Sequence, residues 1–141
     1  MSHTTEVTSV VFKDIDALKM AVKELQTAGI RCQLIENTKP RAYYSAQAGM
    51  GVAPYVLNLQ DSRYDVGFYY DDKIGAHVAR TDLFGGDVQR LLGAGNAAGE
   101  EMGKLYQGYA VNAACRQAAK QGYKVRRVTK QDGTIQLVMN M

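Results

Sequence analysis

Polar and apolar positions alternate at a period of two, shift to a period of three to four, and return to two several times along the chain. Thr5 to Phe12, rich in β-branched residues (Val7, Thr8, Val10, Val11), predicts a strand. Asp14 then offers an N-cap, and Ile15, Leu18, Val22 and Leu25 recur at helical spacing until Ala28-Gly29, where Gly29 takes the closing position of a helix. Ile30 to Glu36 reads as a second strand with Ile30, Cys32 and Leu34 on one face. The segment 37–54 breaks the pattern, holds both prolines, and reads as a long exposed loop with a short extended piece around Ala42 to Ser45. Tyr55 to Gln60, Tyr64 to Tyr70 and a weaker run from Ala76 to Thr81 predict a meander of three antiparallel strands, the last two joined by a turn at Asp71 to Gly75.

A second helical region begins near Asp87, taken as its N-cap, with Val88, Leu91 and Leu92 on one face and an interruption at Gly93-Ala94-Gly95. From Ala97 to Gln121 the spacing of Met102, Leu105, Tyr106, Tyr109, Val111, Ala113 and Ala118 predicts a long helix, closed by Gly122. Tyr123 to Val128 and Ile135 to Asn140 then alternate around Asp132-Gly133, the pair that supplies positive φ to a tight primed turn, so the chain closes in a β-hairpin. A lone hairpin is marginal in water, so its apolar side must lie on another element. The elements add up to a two-layer α+β domain: a mostly antiparallel sheet of about six or seven strands, helices on one face, and a C-terminal hairpin. Its expected core is Val10, Phe12, Leu18, Val22, Leu25, Leu34, Leu57, Val66, Phe68, Leu105, Val125, Ile135 and Leu137.

At 141 residues the chain makes one domain, 1–141, and its 46% hydrophobic and 22% charged residues exclude disordered, collagenous and disulfide-scaffold classes. A net charge of +3 permits an anionic partner without requiring one. No apolar run reaches a membrane-spanning length, and Met1 to Glu6 lacks the features of a secretory signal, so a cytoplasmic protein is expected. Cys32 and Cys115 read as reduced thiols in or near the core.

Three groups of residues are candidates for chemistry. Lys39, Arg41, Tyr43 and Tyr44 place two bases and two aromatics on the long loop, where they suit a small anionic ligand or nucleotide; a lid or a protein contact is the competing reading. Arg116, Lys120, Lys124, Arg126, Arg127 and Lys130 form a run of six bases without an acid, a stripe for phosphate or nucleic acid, or simply a solvated face. Gly95, Gly99 and Gly103 lie four apart and suit close helix packing against the sheet or a second subunit. The run from Gly93 to Gly99 imitates a dinucleotide fingerprint but lacks the strand-to-helix setting such a site needs, so no cofactor is expected. His3 and His77 are the only histidines; Asp61, Asp65, Asp71, Asp72 and Asp82 cluster in the meander and its turns, Asp65 facing solvent, capping a turn or serving as a functional carboxylate, and no metal-ligand spacing or catalytic triad assembles.

Several local patterns coincide with a known family: Met1-Ser2-His3, the helix from Asp14 to Leu25, Tyr64 to Phe68, Tyr109-Ala110, the Gly122-Tyr123 break and Asp132 to Leu137, in that order. Together they resemble the small plastid, cyanobacterial and tailed-phage protein filed as domain of unknown function 1257. The loop from Lys39 to Pro54 and the stretch from Gly93 to Gly103 are longer than the family pattern. The resemblance implies a single cytosolic α+β domain, a phage or cyanobacterial source, and, by association with neighbouring genes, an AAA-type ATPase as partner. It brings no reaction, ligand or catalytic residue. The function expected from the sequence is therefore a non-catalytic binding or adaptor protein acting as a homo-oligomer. The alternatives are a small-ligand or nucleotide site on the 37–54 loop, with catalysis left open, and weak nucleic-acid binding through the C-terminal hairpin.

Overall fold

The computed structural model describes residues 4–43, 50–94, 100–132 and 135–140, the first seven of these as backbone only. Strand β1 (Thr4–Phe12) leads into helix α1 (Ile15–Thr27), strand β2 (Cys32–Thr38) and the meander β3 (Ala53–Leu59), β4 (Val66–Asp71) and β5 (Ala76–Asp82). A 3-10 turn at Phe84–Gly86 precedes the short helix α2 (Asp87–Leu92) and the long helix α3 (Gly103–Lys120), and β6 (Lys124–Thr129) and β7 (Ile135–Asn140) close the chain. The predicted α+β class, with helices on one side of an antiparallel sheet, is what forms.

Five strands pair in the order β1-β5-β4-β3-β2, each neighbour antiparallel. The two strands flanking α1 in sequence are therefore parallel to each other and stand at opposite edges, with the whole meander inserted between them. The expected sheet of six or seven strands is corrected here, because among the described residues β6 and β7 pair only with each other. Their register, Thr129 with Ile135, leaves five residues between the strands instead of the two of a tight primed turn; Gly133 and Thr134 lie outside the described residues.

The core lies between the sheet and the helices. Asp14 caps α1 by accepting from the Ala17 N–H at 3.2 Å, Gly29 closes it at φ +94°, and the stripe Ala17, Leu18, Ala21, Val22 and Leu25 is buried. That stripe meets Leu57, Leu59, Val66, Phe68 and Ala79 of the meander, with Leu105 and Tyr109 arriving from α3. Phe12 sits at the centre, edge-on to Phe68 (5.1 Å between ring centres) and Tyr109 (4.7 Å). The Tyr109 hydroxyl accepts from the Lys13 and Asp14 N–H groups, so one α3 side chain satisfies the turn that opens α1.

Several expectations shift. The long helix starts at Gly103 instead of Ala97, and Glu100 to Met102 run outside it. Asp87 is the first residue of α2, not its cap; Gly86, at φ +78°, takes that place. The weak run at Ala76 to Thr81 is a full inner strand with Val78 and Ala79 buried. Val125, Ile135 and Leu137 are only part-buried, since the hairpin rests along α3 without entering the core, and Leu34 is part-buried on an edge strand. The side chain of Val10 lies outside the description.

The largest correction concerns the long loop, predicted to be exposed. Pro40, Ala42 and Met50 are buried. By strand alternation Val56, Gly67 and Val78 face away from the helices, and there Ala42, Met50 and Tyr69 form a second small cluster, with Pro40 against Gly67. The described part of the loop lies over the sheet's second face at Gly67 and Tyr69. A β-carbon on Gly67 would fall 2.7 Å from the Tyr69 ring and 3.2 Å from Pro40, so glycine is what lets the strap lie flat.

Candidate functional site

The strap is held by two buried carboxylates. Asp65 accepts from the Arg41 backbone N–H (2.8 Å), from Arg41 Nε and Nη2 (3.1 and 2.8 Å), from Asn58 Nδ2 (3.2 Å) and from the Leu59 N–H (3.3 Å). Asp82 accepts from the Tyr43 and Phe84 N–H groups at 2.8 and 2.9 Å. Asp65, read as facing solvent or capping a turn, is thus an anchor, and Arg41, a candidate for a ligand or for a lid or protein contact, is committed to it and to the Leu59 carbonyl at 2.7 Å. Hydrogen bonding to Asp65 raises the Arg41 pKa, against the opposing pull of desolvation. Lys39 is exposed, and the half-exposed Tyr43 ring stacks obliquely on Phe84 at 5.6 Å. Tyr44 lies outside the described residues. Of the predicted loop residues, Arg41 is thus engaged within the chain, while Lys39 and the Tyr43–Phe84 pair stand exposed.

The basic run also divides. Arg116 pairs with Asp14 (2.7 Å) and Asp16 (3.3 Å) at the start of α1. Arg127 binds Glu24 Oε1 and Asn112 Oδ1, both at 2.7 Å, while Asn112 Nδ2 donates to Glu24 Oε2 at 2.6 Å, locking β6, α1 and α3 together. Lys120, Lys124, Arg126 and Lys130 are exposed and make no ion pair among the described residues. Gly103 packs against Ala94 of its own chain, where a β-carbon would collide; Gly95 and Gly99 lie outside the description. The close helix approach that a glycine permits is found instead at Gly108, whose β-carbon position is 3.4 Å from Ala21 of α1. Cys32 is buried and Cys115 partly so, both as free thiols, and burial pushes the Cys32 thiol up.

The feature with the most complete architecture for binding lies at the other sheet edge. Between α1 and β2 runs a groove of about 570 Å³ lined by Lys19, Val22, Lys23 and Gln26 of the helix, Gln33 to Glu36 of the strand, and Tyr55 of β3. Among the described residues β2 pairs only with β3, in the register Cys32 with Leu59 through Thr38 with Ala53. The Gln60 N–H donates to the Arg31 carbonyl at 3.0 Å, so odd-numbered residues of this strand direct their amides at β3. Antiparallel alternation then turns the N–H and C=O groups of Leu34 and Glu36 outward. The Cys32 carbonyl, the first of that outward row, is already taken by Gln26 Nε2 at 2.8 Å, which shows that α1 side chains reach the edge. Tyr55 carries the lining on to His77 (5.5 Å) and Tyr70 (5.3 Å from His77), and desolvation holds the His77 pKa below its usual value, keeping this aromatic notch neutral at physiological pH. Chemically, the groove offers backbone donors and acceptors to an extended chain, an apolar floor at Val22, Leu34 and Tyr55, and a lysine wall. Neither Lys19 nor Lys23 stands out among the bases of the sequence, because nothing local to β2 marks it as an edge.

Among the described residues no group of three His, Cys, Asp or Glu side chains is placed to hold a metal ion, and no helix is long and apolar enough to cross a membrane. Neither the family models, the curated proteins nor the solved structures compared with this chain match it, which neither supports nor contradicts the resemblance noted above.

Proposed function

We propose that this is a binding protein that captures an extended segment of a partner polypeptide by adding it as a sixth strand beside β2. The observation that carries the reading is the outward row of backbone groups at Leu34 and Glu36, opening onto a groove with an apolar floor. Main-chain hydrogen bonds to such an edge supply affinity, and the pocket for alternate side chains supplies selectivity. Edge strands left open are a hazard unless they are managed, and β2 carries the exposed Glu36, whose charge limits promiscuous pairing.

The test is selection of a random octapeptide display library on the wild-type protein and on Glu36→Pro. Proline at that position deletes one outward N–H and leaves the β2–β3 ladder intact. Peptides enriched on wild type and lost by at least tenfold on a folded Glu36→Pro support the reading. No enrichment, or enrichment indifferent to the substitution, overturns it.

A second reading, self-association, is favoured by the hairpin. Val125, Val128, Ile135, Leu137, Val138 and Met139 are all at least partly exposed, and β7 carries no charge whereas β6 carries Lys124, Arg126 and Arg127. A two-fold pairing of β7 with β7 of a second copy would bury apolar surface and keep the bases on the outer strands. Native mass spectrometry that finds a dimer in the wild type and a monomer in Val138→Lys supports it; a wild-type monomer at tens of micromolar refutes it. The nucleic-acid reading keeps only Lys120, Lys124, Arg126 and Lys130, since Arg116 and Arg127 are held by ion pairs within the chain.

A further inference from the structure

From the strand-addition reading, on which this inference rests, the charges of the groove point to the class of segment it takes. We infer that the occupant is an acidic segment in which a carboxylate stands two residues from an apolar side chain. Lys19 and Lys23 lie four residues apart on α1 and line the groove on either side of Val22. Their separation along the helix is about 6 Å, and alternate residues of a strand are spaced by about 6.6–6.8 Å. Successive same-face positions of an added strand therefore keep step with the two ammonium groups.

The floor between them is apolar, formed by Val22 with Leu34 and Tyr55, so one of those same-face positions is filled by an aliphatic or aromatic side chain and its neighbour two residues away meets a lysine. Neither lysine makes an ion pair among the described residues, so neither must give up a partner to bind. Glu36, on the strand wall, is the one acid of the lining. It repels a second carboxylate beside it and thus favours one end of the groove for the acidic position: the end near Lys23, away from Glu36 and Tyr55. An added basic segment would instead face two like charges, a device that rejects wrong partners.

The experiment reads the sequences of the selected octapeptides and the affinities of synthetic versions. The expected result is enrichment of Asp or Glu two residues from an apolar residue, a loss of about two- to fivefold in affinity when that acid becomes Gln, the range of one exposed charge pair, and weakening with added salt. The variant Lys19→Glu/Lys23→Glu is expected to reverse the preference to basic peptides, and because both positions are exposed its fold is not at risk. Peptides that depend on the β2 edge yet show no acidic preference, or are unaffected by the charge reversal, overturn this inference and leave strand addition standing. Absence of any enrichment on wild type overturns both.

Discussion

Replacing Arg41 by Ala separates an anchor from a ligand-binding base. An arginine that serves only a ligand can be removed with little change in stability. Here the guanidinium makes contacts to both Asp65 carboxylate oxygens and a further one to the Leu59 carbonyl, and Asp65 is 3% exposed. Deleting one partner of a fully buried pair costs about 3–5 kcal/mol, because the other charge is left without compensation. Two facts reduce that figure. Asp65 keeps the Arg41 and Leu59 N–H groups and Asn58, and the Arg41 side chain is 46% exposed, so water can enter where it stood. The expected loss is about 2–3 kcal/mol, or roughly 5–10 °C in Tm for a chain of this size. Urea unfolding followed by circular dichroism measures it, and a double-mutant cycle with Asp65→Asn isolates the pair, with an expected coupling of at least about 1 kcal/mol. An Arg41→Ala protein within about 0.5 kcal/mol of wild type would refute the anchoring argument and return Arg41 to the ligand candidates.

Other consequences follow from the same geometry. Arg127→Ala should cost about 1–2 kcal/mol, since it leaves the buried Asn112 oxygen without its donor and Glu24 with Asn112 alone, and chemical denaturation would measure it. Gly108→Ala should raise stability by about 0.5–1 kcal/mol through helix propensity, because a β-carbon at 3.4 Å from Ala21 just fits, whereas Gly108→Leu should drive α1 and α3 apart and lower Tm. Hydrogen bonding from Arg63, through its side chain and its backbone, holds the Asp87 carboxyl below its ordinary 3.8. A carboxyl depressed in the folded state stabilises above its unfolded pKa and loses that contribution as pH falls through the folded value. Stability should therefore fall below about pH 4, and Arg63→Gln should flatten that acid limb in pH-dependent thermal melts; an unchanged slope would exclude the pair as its source.

Much of the architecture was written locally. The stripe from Leu18 to Leu25, the Asp14 cap and the positive-φ closures at Gly29 and Gly122 depend on residues within a turn of one another, and each forms as read. The meander from Tyr55 to Thr81 was equally legible, since period-two alternation and the Asp71 to Gly75 turn are properties of contiguous chain. The long loop was not. Its prolines and glycines advertise irregular backbone, but irregular backbone is exposed only if no surface needs covering, and that surface, Val56 and Val78 on the far face, belongs to strands whose neighbours the sequence does not name.

The candidate site shows the same division. Spacing determined the α+β class and the closing hairpin, and that Lys19, Val22 and Lys23 lie near one another on a helix, because such facts follow from side-chain period alone. Only the tertiary structure decided that β2 is an edge, that its Leu34 and Glu36 amides face outward beside those lysines, and that Arg41, Arg116 and Arg127 are held by Asp65, Asp14 and Glu24. Strand order and charge pairing are set by contacts between residues up to 103 positions apart, and the energy of a long-range pair leaves no periodic trace in the sequence that makes it.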